Sequence, residues 1–297
     1  MLPSHGATLV SLQALWILPF PIDVTPLILS NNNMLKRKYL LRDPNVIELN
    51  YQAARKLGVN VYLIDGGSEF ALIDIGYLDT VGDIIDLVRN LDFKLSQCKY
   101  LIATHADADH VQGLARAKEL LPGATVVAHP QAAPLIEKGD VIETFARISA
   151  QDIDLEMPPC KVDQIINEGD VLEIGDIKLT VWHTPGHTEG QLSFKADNVL
   201  FSGDNIYRDG GVGVIDAHHG SHLPHFISSL ERIRDDDARV LLPSHGPPFL
   251  KDKALIQKTI DRLVGYQTLP DFGTCAVHWP LLEQWERDVN AGKMPKL

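Results

Sequence analysis

Cysteine is scarce. Cys98, Cys160 and Cys275 are the three in 297 residues, they form no CxxC pair, and an odd one is left over. That excludes a disulfide-stapled scaffold and leads us to expect a reducing, cytoplasmic setting. Positive charge is also short. Lys and Arg number 27 against 39 Asp and Glu, a formal charge of −12, so the basic footprint that tracks a phosphate backbone is missing. No nucleic-acid partner is expected. The apolar run from Thr8 to Phe20 is too short to span a bilayer. It has no Lys or Arg between Met1 and Gly6, and Pro19 and Pro21 break up its C-terminal end. Neither a signal peptide nor a membrane partner is read from it. Low-complexity tracts and internal repeats of convincing period are absent too.

The remainder is ordinary globular material, 45% hydrophobic and 22% charged, able to bury a sizeable core. Met34 opens MLKRKYLLRD, so residues 1–33 are expected to be an extension of unknown role. The main domain is expected over 34–265, and 266–297, with Trp279 and Trp285, as a tail packed on that domain or extending from it. VNVYLID (59–65) and EFALIDIG (69–76) read as strands around a Gly66-Gly67-Ser68 turn, and Thr80 to Asn90 places apolar residues at helical spacing. KYLIAT (99–104) and ATVVAH (124–129) read as strands, with a helix from Val111 to Leu121 between them. Residues 131–160 suggest a helical excursion and a loop. Strands come next in DVLEIG, IKLTVWH, NVLFSG and RVLLP (239–243), and helices at 225–233 and around 253–264. Strands mixed with helices predict α/β (α+β) sheets covered by helices rather than a doubly wound parallel fold.

The informative segment is THADADHVQG. His105, Asp107, Asp109 and His110 are four metal-ligand side chains within six residues, between a strand and a helix. In extended chain, residues two apart point the same way, so 105, 107 and 109 can converge, and the turn into the helix brings His110 round. The same text also fits Asp109 as a simple helix cap with solvated neighbours. Other strand ends repeat the pattern. IKLTVW runs into HTPGHTEGQ with His183 and His187, VLFSGDN ends on Asp204, and RVLLPSHGPP on His245. A core does not need a His or Asp after each buried β run, whereas one metal centre built on loops at strand ends does.

The order H-x-D-x-D-H, TPGHT, GD and SHG, over residues 59–250, resembles the metallo-β-lactamase superfamily. The resemblance implies a four-layer αββα sandwich and two divalent metal ions, most simply zinc. His105, Asp107 and His187 match the first site, Asp109, His110 and His245 the second, and Asp204 the bridging carboxylate. His183 is expected to shape the loop carrying His187. One departure stands out: the family's usual second histidine is replaced by Asp107, a hard oxygen donor that shifts preference toward iron or manganese. Zinc accepts carboxylates as well.

The resemblance implies a metal-dependent hydrolase whose activated hydroxide attacks an ester, thioester, lactone or amide carbonyl of a small-molecule substrate. Asp109 would orient the nucleophile. Tyr207, three residues after Asp204, would either donate to the oxyanion, as in lactonases of the family, or be a buried structural tyrosine. FSGDNIYRDGGVG is also similar to hydroxyacylglutathione hydrolases and persulfide dioxygenases, although no glutathione contacts can be matched here. The alternatives are a non-haem iron oxidoreductase, persulfide dioxygenase-like or di-iron, and a non-catalytic metal-binding homologue. His218, His219, His222 and His225 read as an exposed polar loop before a helix, or as substrate contacts or proton shuttles. Asp235-Asp236-Asp237 reads as a solvated turn. His5, His129 and His278 have no motif context, and the oligomeric state stays open.

Overall fold

A computed structural model describes residues 40–50, 58–149, 152–268 and 280–293. The extension over 1–33, His5, Cys275, His278 and Trp279 lie outside them.

The first half of the chain forms β1 (Leu41–Arg42), β2 (Asn45–Asn50), β3 (Val61–Asp65), β4 (Phe70–Ile73), helix α1 (Val81–Asn90) and β5 (Cys98–Ile102). Helices α2 (Ala108–Val111) and α3 (Leu114–Leu120), β6 (Thr125–Ala128), α4 (Ala133–Lys138), the hairpin β7 (Arg147–Ile148) and β8 (Ile153–Asp154), and β9 (Gln164–Ile165) complete it. The second half forms β10 (Val171–Ile174), β11 (Ile177–His183), β12 (Leu192–Ala196), β13 (Val199–Gly203), α5 (Leu223–Asp235), β14 (Val240–Pro243), β15 (Phe249–Leu250), α6 (Lys253–Gln267) and α7 (Pro280–Asn290). No helix among the described residues is long and apolar enough to cross a membrane.

Two sheets result, one ordered β1-β2-β3-β4-β5-β6-β9, the other β10 to β15 in sequence order. Each is apolar on both faces, because successive side chains of a strand point to opposite sides. In β3, Tyr62 and Ile64 face the second sheet, among Phe194, Val181 and Leu242, while Val61 and Leu63 pack with Ile84, Ile85 and Val88 of α1. In β14, Val240 and Leu242 join the layer between the sheets, while Leu241 packs with Phe226 and Leu230 of α5 and Ile260 of α6. The expected four layers, αββα, are therefore present, with three apolar layers between them.

Local differences have local causes. The helix expected over 111–121 starts at Ala108 and is divided into two at Gly113, whose N–H leaves the helical ladder to donate to the Gly76 carbonyl at 2.9 Å. Strand β12, unannounced in the sequence, is five residues long and sits directly behind the TPGHTEGQ loop. The tail contains α7, and α6 runs on to Gln267. The excursion over 131–160 holds α4 and the small hairpin. Asp236 is no free solvated acid: its carboxylate takes a 2.6 Å bond from Lys195. Cys98 and Cys160 are free and buried, and burial pushes their thiols up to about 12 and about 11.

Candidate metal centre

β4 and β5 run parallel, as do β13 and β14, and β11 points the same way as β13 because two antiparallel steps separate them. Five strands therefore end on one edge of the sandwich. The residues just beyond those ends are Asp74, His105 to His110, His187, Asp204 and His245. Leu192 N–H donates to the Thr104 carbonyl, and Asn60 N–H to that of Ser244, stitching the two sheets beside the site.

All seven expected ligands meet there. Their donor atoms group as His105–Asp107–His187, Asp109–His110–His245 and His105–His110–Asp204, each within 4.8 Å. His187 Nε2 lies 3.0 Å from Asp107 Oδ2 and 3.8 Å from Asp204 Oδ2. His245 Nε2 lies 3.2 Å from Asp109 Oδ2 and 3.5 Å from Asp204 Oδ2, and His110 Nε2 3.8 Å from Asp204 Oδ1. Asp204 thus faces both triads. The first triad is wholly buried; the second is partly open, through Asp109 and His245.

Every imidazole is held by its other nitrogen. Nδ1–H of His187 donates to the Val214 carbonyl at 2.8 Å and that of His245 to the Gly58 carbonyl at 2.7 Å. His110 Nδ1 donates to Asp74 Oδ2 at 2.9 Å, and His105 Nδ1 pairs with Thr104 Oγ1, whose own hydroxyl donates to Asp74. A carbonyl can only accept, so Nε2 of His187 and His245 is the lone-pair nitrogen when the ring is neutral. Asp74, which joins this set by accepting from Thr104 and His110, was not singled out by the sequence patterns. It is the first residue after β4, as Asp204 is the first after β13, and that shared position was the available signal. Its backbone is left-handed, φ 55°, an unusual conformation for a non-glycine, and its carboxylate gathers Thr104 and His110.

The donor set suits divalent cations. Nε2 of His105 and His110 and Oδ1 of Asp107 and Asp204 are buried with no hydrogen-bond partner. Each such atom costs about 1–3 kcal/mol when left unsatisfied, and all four point into one place. The electrostatics agree. Burial works against ionisation, yet His105 and His187 outweigh it at Asp107, as do His110 and His245 at Asp109 and Asp204, and all three carboxyls are held below their usual range. Conversely, the carboxylates overcome burial to raise His110 and His187 to about 9 and His245 to about 12. The negative potential that lifts these imidazoles is what a cation would meet.

Close backbone approach completes the setting. A Cβ on Gly213 would lie 2.7 Å from the His187 ring and 3.0 Å from Asp204 Cβ, and Gly213 N–H donates to the Asp204 carbonyl. His183 Nε2 bonds the Glu189 carbonyl at 2.7 Å, across the loop that carries His187. Tyr207 O–H donates to Asp204 Oδ2 at 2.8 Å, and burial followed by Asp204 raises its pKa well above the ordinary value, so it stays a donor. Of the second histidine group, His222 caps α5, its Nδ1 accepting from His225 N–H, while His219 bonds Asp216 and lines a cleft of about 330 Å³ that opens beside Asp107.

Residues 54–245 match the family model described as the metallo-beta-lactamase superfamily. The chain is 27% identical to the acyl-coenzyme A thioesterase MBLAC2 of Gallus gallus, over 68% of this chain and 70% of that protein. It is 26% identical to a hydroxyacylglutathione hydrolase of Tolumonas auensis, over 62% of this chain and 60% of the relative. Among solved structures, a protein crystallised in a di-iron-bound form superposes with a TM-score of 0.58 at 27% identity, covering 72% of this chain and 98% of the other. With the sandwich, the ligand order and the family match in agreement, this chain belongs to the metallo-beta-lactamase superfamily.

Proposed function

We propose that this hydrolase cleaves thioesters, with His105, Asp107 and His187 holding one divalent cation, Asp109, His110 and His245 a second, and Asp204 serving both. One observation carries the reading: seven ligand side chains, four with orphaned buried atoms, converge beside an open cleft. The choice of thioester rests on the relatives, one a thioesterase and another a hydrolase of an S-acyl glutathione. When bound, the cations would supply an acidified water and polarise the carbonyl. Zinc is the first choice.

The chain's own residues bind and orient. Asp109, the most open of the three carboxylates, accepts the proton of the attacking water. Tyr207 aims Asp204, because its O–H is committed to that carboxylate; an oxyanion role would require giving up that bond. The acyl carbon gains oxygen, the thiol leaves with a proton, and the products are a carboxylic acid and a thiol.

The test compares acyl-coenzyme A, acyl-glutathione, ester and lactone substrates with metal-loaded and chelated protein. Thioester turnover that is lost on chelation and restored by zinc is expected. Lactone turnover without thioester turnover would overturn the assignment. A second reading, an iron oxidoreductase, draws on the buried Asp107 carboxylate between His105 and His187 and on the di-iron relative. Iron in the isolated protein together with substrate-dependent oxygen uptake would establish it.

A further inference from the structure

The cleft beside Asp107 is lined by acidic and apolar residues. Ala106 and Asp107 bring it to the candidate metal centre. Glu143 and Glu189 are exposed on its walls, and Ala132 and Leu135 supply apolar surface. Among the described residues the lining holds no Lys or Arg. Lys138, on which Glu143 also acts, is bonded to Asp140 at 2.7 Å, so Glu143 is not neutralised by a dedicated partner. His219 also lines the cleft and is held in place. Its Nδ1 sits 3.0 Å from Asp216 Oδ2, and its ring lies against Phe145 with centroids 3.9 Å apart.

We propose that this cleft receives the acyl chain of the thioester, and that Glu143 and Glu189 make it select chains without negative charge. The inference rests on the thioesterase reading for the bond that is cut, but not for the charge preference. The physics is Coulombic. A carboxylate carried on an acyl chain would meet two like charges in a lining without Lys or Arg, whereas an uncharged chain can pack on Leu135 and Ala132, and an ammonium group would be attracted. Exposed walls are screened by salt, so the discrimination is moderate and falls with ionic strength.

The experiment uses the full-length, metal-loaded protein and two sets of probes. The first is N-acetylcysteamine thioethers, which cannot be hydrolysed, bearing a hexyl chain or the same chain ending in a carboxylate or an amine; the second is the corresponding thioesters. Binding by calorimetry should rank amine above methyl above carboxylate, with about fivefold between the last two at low salt, shrinking at high salt. The double variant E143Q/E189Q, checked for unchanged melting temperature, should bring the methyl and carboxylate probes to within about twofold of each other. Equal binding of methyl and carboxylate probes to the unaltered protein, or no binding of any probe, would overturn the proposal. So would discrimination that survives in the double variant. If the charge ranking holds while no thioester is hydrolysed, the thioesterase reading fails and the cleft's preference stands.

Discussion

The two sheets meet through imidazole in two places, and the places behave oppositely. At the metal centre, His110 and His187 are raised to about 9 and His245 to about 12, because Asp204, Asp109, Asp107 and Asp74 surround them. One strand end away, His129 after β6 stacks on His183 at the end of β11, with ring centroids 4.2 Å apart and planes 15° from parallel. Burial, and then His183, push His129 down to about 4. Its Nδ1 accepts from Gln131 N–H, so this ring serves its neighbours as a neutral acceptor. The residue type and the position after a strand are shared; the carboxylates are not. A histidine at a strand end becomes a ligand candidate only where acids converge with it.

Removing a carboxylate breaks that contrast most severely. Asp204→Ala strips the one acid that faces both triads and is expected to lose both metals and at least about a hundredfold in turnover; full metal content by mass spectrometry would refute the shared role. Gly213→Ala comes next. Its Cβ would push on the His187 ring, so the first triad should lose its ion while the second keeps one, with about a tenfold drop in activity. Retention of two ions would show that this loop does not set His187. Asp74→Asn keeps the shape but, with its one oxygen turned to His110, sets an NH2 group against the Thr104 N–H that Oδ1 accepts, and it removes the negative charge beside the ring. Metal affinity should weaken by about tenfold, read by chelator competition.

Asp107→His tests the donor chemistry with a smaller effect. The zinc-to-iron ratio in isolated protein should rise and thioester hydrolysis should be retained or increased; complete loss of hydrolysis would give the carboxylate a specific role. The stacked pair offers the mildest test. Because folding lowers the His129 pKa from the ordinary 6.5 to about 4, the unfolded chain binds a proton in that window that the folded chain does not. Its contribution to stability is complete above about pH 6.5 and is lost as pH falls toward 4. Unfolding by denaturant at pH 7 and 5 should therefore show a smaller loss in His129→Phe than in the unaltered protein. Equal losses would mean that His129 titrates normally.

By itself the sequence picked out the candidate ligand side chains and, in outline, the scaffold that carries them. Side-chain chemistry is local, so His105, Asp107, Asp109 and His110 on one strand-to-helix turn could be read as a cluster, and His187, Asp204 and His245 could each be seen after an apolar strand. The layers came from period-two and helical patterning. Only the tertiary structure decided which strand ends share an edge. The parallel pairings of β4 with β5 and β13 with β14 put Asp74 under His110 and Asp204 between two triads, and the packing of one sheet on the other sets His129, after β6, against His183 of β11. The cleft formed by Leu135, Glu143, Glu189 and His219 is likewise built from segments far apart in the chain. Strand order is set by long-range packing of apolar faces that resemble one another along the chain. A one-dimensional pattern shows that each strand has a buried face, but not which neighbour covers it.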